Sequence, residues 1–348
     1  MTARNTAIEV VSHAPDNRLN EDAWLVLHTG PLGERIVFAA IDGATTRMTP
    51  PPLQRHLESL PERLTPAAFA ARSTRSALAR HLIDGMLPDL RAALLEANAD
   101  LGRTLIGLFG ALTLEGMGFP EEIYATLAKD PRQVRLGLPA CVVTLAEYDP
   151  TEHTLRYAHT GDTSLLVLYE DGRVAVPTQP EGASHDNDLK QQANRLRQQR
   201  PDLPFRELVE QPEIQTQNLQ SGIRHNYVDD HSLPQPSQGI GVVNGQPELR
   251  YFIQTGQLYL DRAIFVCALT DGLEWPASAR EVFTEDPDEA AALLVERREF
   301  MAAEICERSL AGYLDLLRQT ERDDRDHEEY PRLKTHDDAT GVLLWLET

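Results

Sequence analysis

The feature that most constrains this chain is an unbroken apolar run that stops at an acidic residue. Residues 36–41 are all apolar, and Asp42-Gly43 follows them directly. A run of this length is typical of a strand buried on both faces, and glycine allows a tight turn after it. The Asp42 carboxylate is then expected at the rim of a core, where a charge has to be paired or has to bind a cation.

Other acidic residues border apolar runs in the same way. Three more pairs follow this pattern: Asp271-Gly272 after residues 263–270, Glu21-Asp22 before residues 23–28, and Asp337-Asp338 before residues 339–346. A single Asp-Gly pair would indicate only a turn. If the strands that end in acids lie antiparallel to those that begin with them, however, all four pairs meet at one edge of a sheet. We therefore predict an active site at that edge.

Length and charge limit the classes of function. Because the candidate residues lie at both ends of a chain of 348 residues, we expect one domain spanning residues 1–348. A net charge of −21 argues against nucleic acid or an anionic membrane as a partner and is compatible with a metal ion. Three sparse cysteines and the lack of a long apolar run predict a cytoplasmic protein. Nothing in the sequence bears on the oligomeric state.

The pattern along the chain indicates an α+β protein. Leucines spaced by four residues predict a helical layer over residues 66–130, interrupted at Pro88, and residues 44–64 read as irregular. Residues 140–176 are expected to form an antiparallel meander, and residues 239–247 a further strand. Residues 179–238 are polar and read as a mobile, flap-like insertion. This order fits a four-layer αββα sandwich, with two antiparallel sheets face to face and helices outside.

Clustered carboxylates favour one kind of chemistry. Oxygen ligands without a set of His or Cys indicate Mg²⁺ or Mn²⁺, and two such ions can activate water and bind a phosphoryl group together. Haloacid dehalogenase phosphatases need an aspartate two residues before Asp42, where this chain has Ala40, so that class is rejected. His13, His159 and His336 lie near the acids in sequence, but each is more typical of a structural or surface histidine.

An ordered set of motifs is similar to a known family. The motifs are NEDA at 20–23, IDGA at 41–44, HTGDTSLLVLYEDG at 159–172, LTDGLE at 269–274 and DDATGVLLWL at 337–346. Together they resemble the PP2C-type (PPM) metal-dependent protein phosphatases, in a divergent bacterial form. The resemblance implies an αββα sandwich and a binuclear Mn²⁺ or Mg²⁺ centre. It also implies hydrolysis of phosphoserine and phosphothreonine in a phosphorylated protein substrate by metal-activated water.

The resemblance also implies roles for individual residues. Asp42 would bridge two ions beside the Gly43 carbonyl. Asp22, with Glu21, would serve one ion, and Asp271 and Asp337 the other. Asp162 matches the acid that joins Asp271 at a third ion in many bacterial members.

Two departures from the family pattern leave alternatives open. The phosphate-binding arginine of the family falls at position 17, which is Asn here, so Arg18 is the candidate one place late. The family's histidine after Asp-Gly is replaced by Ala44-Thr45-Thr46. The alternatives are a non-catalytic regulatory module that binds phosphoproteins on the same fold, and a phosphatase acting on a small metabolite.

Overall fold

Within the residues that the computed structural model describes, ten strands form two antiparallel sheets. The model describes residues 7–15, 18–44, 48–83, 89–129, 137–215, 225–229, 231, 233–235 and 239–346. The strands are β1 (Ile8–His13), β2 (Ala23–Thr29), β3 (Arg35–Ala44), β4 (Ala140–Asp149), β5 (Thr154–Thr160), β6 (Ser164–Tyr169), β7 (Val174–Ala175), β8 (Gln254–Tyr259), β9 (Ala263–Leu269) and β10 (Ala339–Trp345). The first sheet has the order β1-β10-β9-β6-β7 and the second the order β2-β3-β4-β5-β8.

The helices fall into groups along the chain. They are α1 (Pro51–Ser59), α2 (Pro66–Ile83), α3 (Leu90–Phe109), α4 (Leu114–Met117), α5 (Glu121–Leu127), α6 (Ala183–Gln199), α7 (Phe205–Val209), α8 (Ala279–Phe283) and α9 (Pro287–Asp323). Helix α9 is interrupted at Ser309, whose φ is +68°. Short 3-10 turns occupy Pro247–Tyr251 and Asp271–Leu273.

The molecule has four layers, and an apolar core lies between each pair of adjacent layers. Phe38 of the second sheet packs between the sheets against Val266 and Val342 of the first. The outer face of the second sheet is covered by helices α1 to α5, and the outer face of the first by α9. The predicted αββα sandwich of the α+β class is therefore confirmed.

The helical layer begins earlier than the sequence pattern indicates. Residues 44–64 were expected to be irregular, and this is wrong because α1 occupies Pro51–Ser59. Its prolines fall in the first turn, where the missing N–H groups have no partner in a helix anyway. The expected interruption near Pro88 agrees with α2 ending at Ile83 and α3 beginning at Leu90, although residues 84–88 lie outside the described residues.

Two predictions in the middle of the chain are wrong. The meander does not continue past β5, because the turn at Gly161, with φ +79°, carries the chain into the other sheet, where β6 pairs with β9 and β7. Turn residues alone do not distinguish a hairpin from a corner between sheets. The expected strand at 239–247 is reduced to isolated bridges, such as that of Cys141 with Val243.

The polar insertion contains a small core of its own. Its buried residues are Leu189, Ala193, Phe205, Leu208, Val209 and Ile214, from α6, α7 and the turn after them. The insertion also contacts the body of the protein, since Gln191 donates a hydrogen bond to the Val282 carbonyl (2.7 Å). Within this stretch, residues 216–224, 230, 232 and 236–238 are outside the described residues.

Candidate active site

The acidic pairs lie at the ends of four strands, two in each sheet. Antiparallel pairing of β2 with β3 matches Ala23 to Ile41, so Asp22 and Asp42 lie side by side at one end of the second sheet. Pairing of β9 with β10 matches Leu269 to Gly341, which brings Asp271 to the start of β10. The antiparallel arrangement that the sequence predicts is therefore present, but it is divided between two sheets.

Two hydrogen bonds between the sheets bring these strand ends together. The backbone N–H of Glu21 donates to Asp338 Oδ2 (2.7 Å), and the Thr270 hydroxyl donates to Asp22 Oδ2 (2.9 Å). The acids thus meet at one end of the sandwich, across the seam between the sheets, rather than along the edge of a single sheet.

The glycines of the two Asp-Gly pairs permit close contact between distant segments of the main chain. A Cβ at Gly43 would lie 2.5 Å from the carbonyl oxygen of Glu21, and a Cβ at Gly272 only 1.8 Å from that of Asp338. Gly43 is still within β3, and neither glycine has a positive φ. They are therefore needed for the approach of the acidic segments, and the expectation of a tight turn at Gly43 is wrong.

The carboxylates at this end act strongly on one another. We call Glu21, Asp22, Asp42, Asp162, Asp271, Asp337 and Asp338 the acidic cluster. Burial, and then the charges of Asp22 and Asp271, raise the pKa of Asp42 well above its usual range. Burial and nearby carboxylates raise the pKa of Asp22 to about 8. The cluster is therefore short of positive charge.

Four further members of the cluster show the same effect. Asp162, in the corner between β5 and β6, has its pKa raised by burial and then by the charge of Asp271. The pKa values of Glu21, Asp337 and Asp338 are raised, first of all by burial. Asp162, which the family resemblance associates with a third ion, thus lies close enough to Asp271 for their charges to interact.

Among the described residues, the charges of two cationic side chains act on the cluster. The Lys334 ammonium forms an ion pair with Asp337 Oδ2. Burial lowers the pKa of Lys334, but the charges of Asp271 and Asp337 outweigh burial and raise it. Arg18 is exposed, and its charge lowers the pKa of Asp338 against the larger, raising effect of burial. The sequence singled out Arg18 and missed Lys334, although Lys334 precedes Asp337 by only three residues.

The donor atoms are of the kind that binds a hard divalent cation, but their side chains are not arranged around a single ion. The cluster offers carboxylate oxygens and the Gly43 carbonyl, which are the ligands that Mg²⁺ and Mn²⁺ prefer. Among the described residues, however, no three Asp, Glu, His or Cys side chains are arranged to hold one metal ion. The two-ion centre and the optional third ion stay predictions.

A buried polar network supports the segment that carries Asp337. Arg318 of α9 donates to the Asp337 carbonyl (2.6 Å) and to Glu321 (2.7 Å). His336 contacts the same Glu321 carboxylate through Nδ1 (2.8 Å). The periodicity of α9 gives no sign of this network, because Arg318 lies among the leucines of its buried face.

The three candidate histidines are either held by neighbouring side chains or exposed at the surface. His159 is fully buried and its Nδ1 lies 2.9 Å from the Thr144 hydroxyl, and burial lowers its pKa to about 4. His336 is paired with Glu321, and His13 is exposed. The expectation that these are structural or surface histidines agrees with their positions.

Comparison with known proteins identifies similar folds at low identity. Stp1, a serine/threonine phosphatase from Staphylococcus aureus, is 12% identical with a TM-score of 0.46, over 99% of this chain and 97% of that one. The S. agalactiae serine/threonine phosphatase is 12% identical with a TM-score of 0.45, over 99% of this chain and 100% of that one. RsbX in complex with magnesium is 9% identical with a TM-score of 0.42, over 98% and 96%.

Comparisons of sequence identify no relative. No protein-family model matches the chain, and no curated protein matches it significantly. Separately, none of the helices within the described residues is both long and apolar enough to cross a membrane.

Proposed function

We propose that this protein is a metal-dependent phosphatase that hydrolyses phosphoserine and phosphothreonine in proteins. The observation that supports the proposal is the convergence of carboxylates from four strand ends and one corner, where burial and neighbouring charges raise the pKa values of Asp22, Asp42, Asp162 and Asp337. A set of acids that repel each other in this way is stabilised by divalent cations. The proposed cofactor is Mn²⁺ or Mg²⁺, as two ions with a third as an option.

The proposed ligands come from both sheets. The proposed ligands are Asp42, the Gly43 carbonyl, Asp22 and Glu21 on the second sheet, and Asp271, Asp337 and Asp162 on the side of the first sheet. When bound, ions of this kind activate water and polarise phosphoryl oxygens. Asp42 lies on β3, where its main chain pairs with Val142 of β4 and the preceding Ile41 pairs with Ala23 of β2.

The chain's own residues would orient the substrate. Thr270 fixes the Asp22 carboxylate, while Asp271 is exposed, so the cluster is open to an approaching phosphorylated side chain. Arg18 is the proposed phosphate ligand, since its guanidinium is exposed and acts on the neighbouring Asp338. An arginine suits this task because its planar group binds phosphate through two parallel hydrogen bonds.

Hydrolysis of an aryl phosphate and of phosphopeptides with added Mn²⁺ tests the proposal. Because Asp42→Asn removes a charge without changing shape, we expect kcat/KM to fall by about 100-fold or more. The matched control is Asp149→Asn at the opposite end of the same sheet, where Asp149 pairs with exposed Arg35 and little change is expected. A folded wild-type protein that binds Mn²⁺ but hydrolyses no phosphoester contradicts the proposal.

A second candidate function is supported by the spacing of the donors. Because no three described acids are arranged around one ion and Lys334 already pairs with Asp337, the site also suits a module that binds phosphoproteins without turnover. Such a module would bind a phosphopeptide in the presence of EDTA and release it unchanged. Turnover of a metabolite phosphate in preference to phosphopeptides would instead indicate the small-molecule phosphatase.

A further inference from the structure

Lys334 is one of few lysines in the chain, and it lies beside the acidic cluster. Only three of the 33 basic residues are lysines, namely Lys129, Lys190 and Lys334. Lys334 forms an ion pair with Asp337, and the charges of Asp271 and Asp42 also act on it. A single ammonium therefore neutralises part of the acidic cluster at one of the proposed metal ligands.

The main chain on either side of Lys334 is firmly held. Arg332 donates to Asp324 Oδ2 (2.7 Å) and to the Glu321 carbonyl (2.9 Å), and Arg318 holds the Asp337 carbonyl. Leu333 packs against the small core of the insertion. The position of the Lys334 Cα is thus fixed with respect to the acidic cluster.

More than half of the Lys334 side chain is accessible to solvent. Its side chain is 58% exposed, whereas that of Asp337 is 31% exposed. Lysine carries a compact charge on a flexible stem, while arginine would bind a carboxylate through a rigid fork. The ammonium can therefore leave Asp337 without any change in the backbone.

We propose that Lys334 is a tethered cation that pairs with Asp337 when no divalent ion is present and is displaced from it when an ion binds. The proposal rests on the proposed function in so far as the ion binds at this cluster. Both cations compete for the same carboxylate, so Lys334 lowers the affinity of the centre for metal. In exchange it stabilises the metal-free fold by neutralising a proposed ligand.

Metal titration of charge variants tests the competition. We compare wild type, Lys334→Met and Lys334→Arg, with exposed Lys129→Met as the control. Since a partly exposed ion pair is weak, we expect Lys334→Met to bind Mn²⁺ roughly 3- to 10-fold more tightly by calorimetry and to unfold at a lower temperature in EDTA. Lys129→Met should match wild type in both measurements, and Lys334→Arg should not bind Mn²⁺ more tightly than wild type.

A labelling experiment on the wild-type protein needs no variant. With only three lysines, acylation of each amine can be followed by mass spectrometry. Because an amine released from an ion pair reacts faster, Mn²⁺ should increase the labelling of Lys334 and leave that of Lys129 unchanged. This measurement decides the question even if Lys334→Met fails to fold.

The possible results separate this inference from the proposed function. If wild type gives no Mn²⁺ binding while folded, both fail. If wild type binds Mn²⁺ but Lys334→Met binds it equally or less well, and labelling of Lys334 does not rise, the displacement is refuted while the metal centre stands. A raised KM for phosphopeptide with unchanged Mn²⁺ affinity would show that Lys334 contacts substrate instead.

Discussion

At the scale of single residues, the acidic cluster depends on two glycines. Gly272→Ala would place a Cβ 1.8 Å from the Asp338 carbonyl oxygen, so the strand that follows Asp338 has to shift. We expect a loss of about 3 kcal/mol or more in the free energy of unfolding and weaker Mn²⁺ binding, measured by urea denaturation and calorimetry. The control is Gly107→Ala in α3, where a Cβ meets nothing within 4 Å and should stabilise the helix by up to about 1 kcal/mol. A Gly272→Ala protein as stable as wild type would contradict the proposal that Gly272 is needed for the close contact with Asp338.

The buried imidazole of His159 makes stability depend on pH. Burial lowers its pKa to about 4, below the value of an unfolded histidine, so the unfolded chain binds the extra proton between these two values. Stability from this group is therefore complete above about pH 6.5 and is lost as pH falls towards 4. Between pH 6.5 and 5, we expect wild type to lose about 2 kcal/mol more than His159→Gln.

Denaturant titrations at several pH values measure this difference. Asp22, Asp42, Asp162 and Asp337 have raised pKa values and give a slope of the opposite sign, but they are common to both proteins and cancel in the comparison. Exposed His28→Gln should follow wild type. A His159→Gln protein whose pH dependence equals that of wild type would show that folding does not lower the pKa of His159.

At the scale of elements, α9 is coupled to the acidic cluster by a buried arginine. Arg318→Met would leave the Glu321 carboxylate, which is only 10% exposed, with His336 as its remaining partner. Since an isolated buried charge is costly, we expect a loss of about 3 kcal/mol together with weaker Mn²⁺ binding. Arg308→Met in the same helix removes a more exposed pair with Glu304 and should cost less than about 1 kcal/mol. Similar losses of stability for both variants would show that Arg318 does not couple α9 to the acidic cluster.

The sequence predicted those elements whose pattern is set by their own burial. Residues 36–41, β9 and β10 are largely apolar and border acids, so the pattern predicted that Asp42 and Asp271 meet, although it placed them at the edge of a single sheet rather than across two. Helix α1 was missed because Pro51 and Pro52 normally argue against helix, and only their place in the first turn makes them acceptable. The path of β6 and the position of Lys334 depend on contacts between distant segments, which a local pattern does not contain.

At the scale of the whole molecule, stability is divided between the sandwich and the insertion. Phe38 is fully buried between the two sheets, whereas Phe205 is fully buried in the small core of the insertion, with Phe283 of α8 beside it at 5.9 Å between ring centroids. The two cores share no residue. Loss of packing in one core is therefore expected to destabilise mainly the part of the molecule that contains that core.

Alanine at these two positions should thus give different results. We expect Phe38→Ala to lower the free energy of global unfolding by about 3–5 kcal/mol, as for a large side chain removed from a closed core. Phe205→Ala should change the main urea transition much less and should make residues 183–215 sensitive to limited proteolysis, because local opening of the insertion leaves the sandwich intact. Leu333 packs on the same small core, so opening it should also loosen the segment before Lys334 and alter Mn²⁺ affinity. If both variants instead lower the main transition equally, with no new cleavage in the insertion, the molecule unfolds as a single cooperative unit.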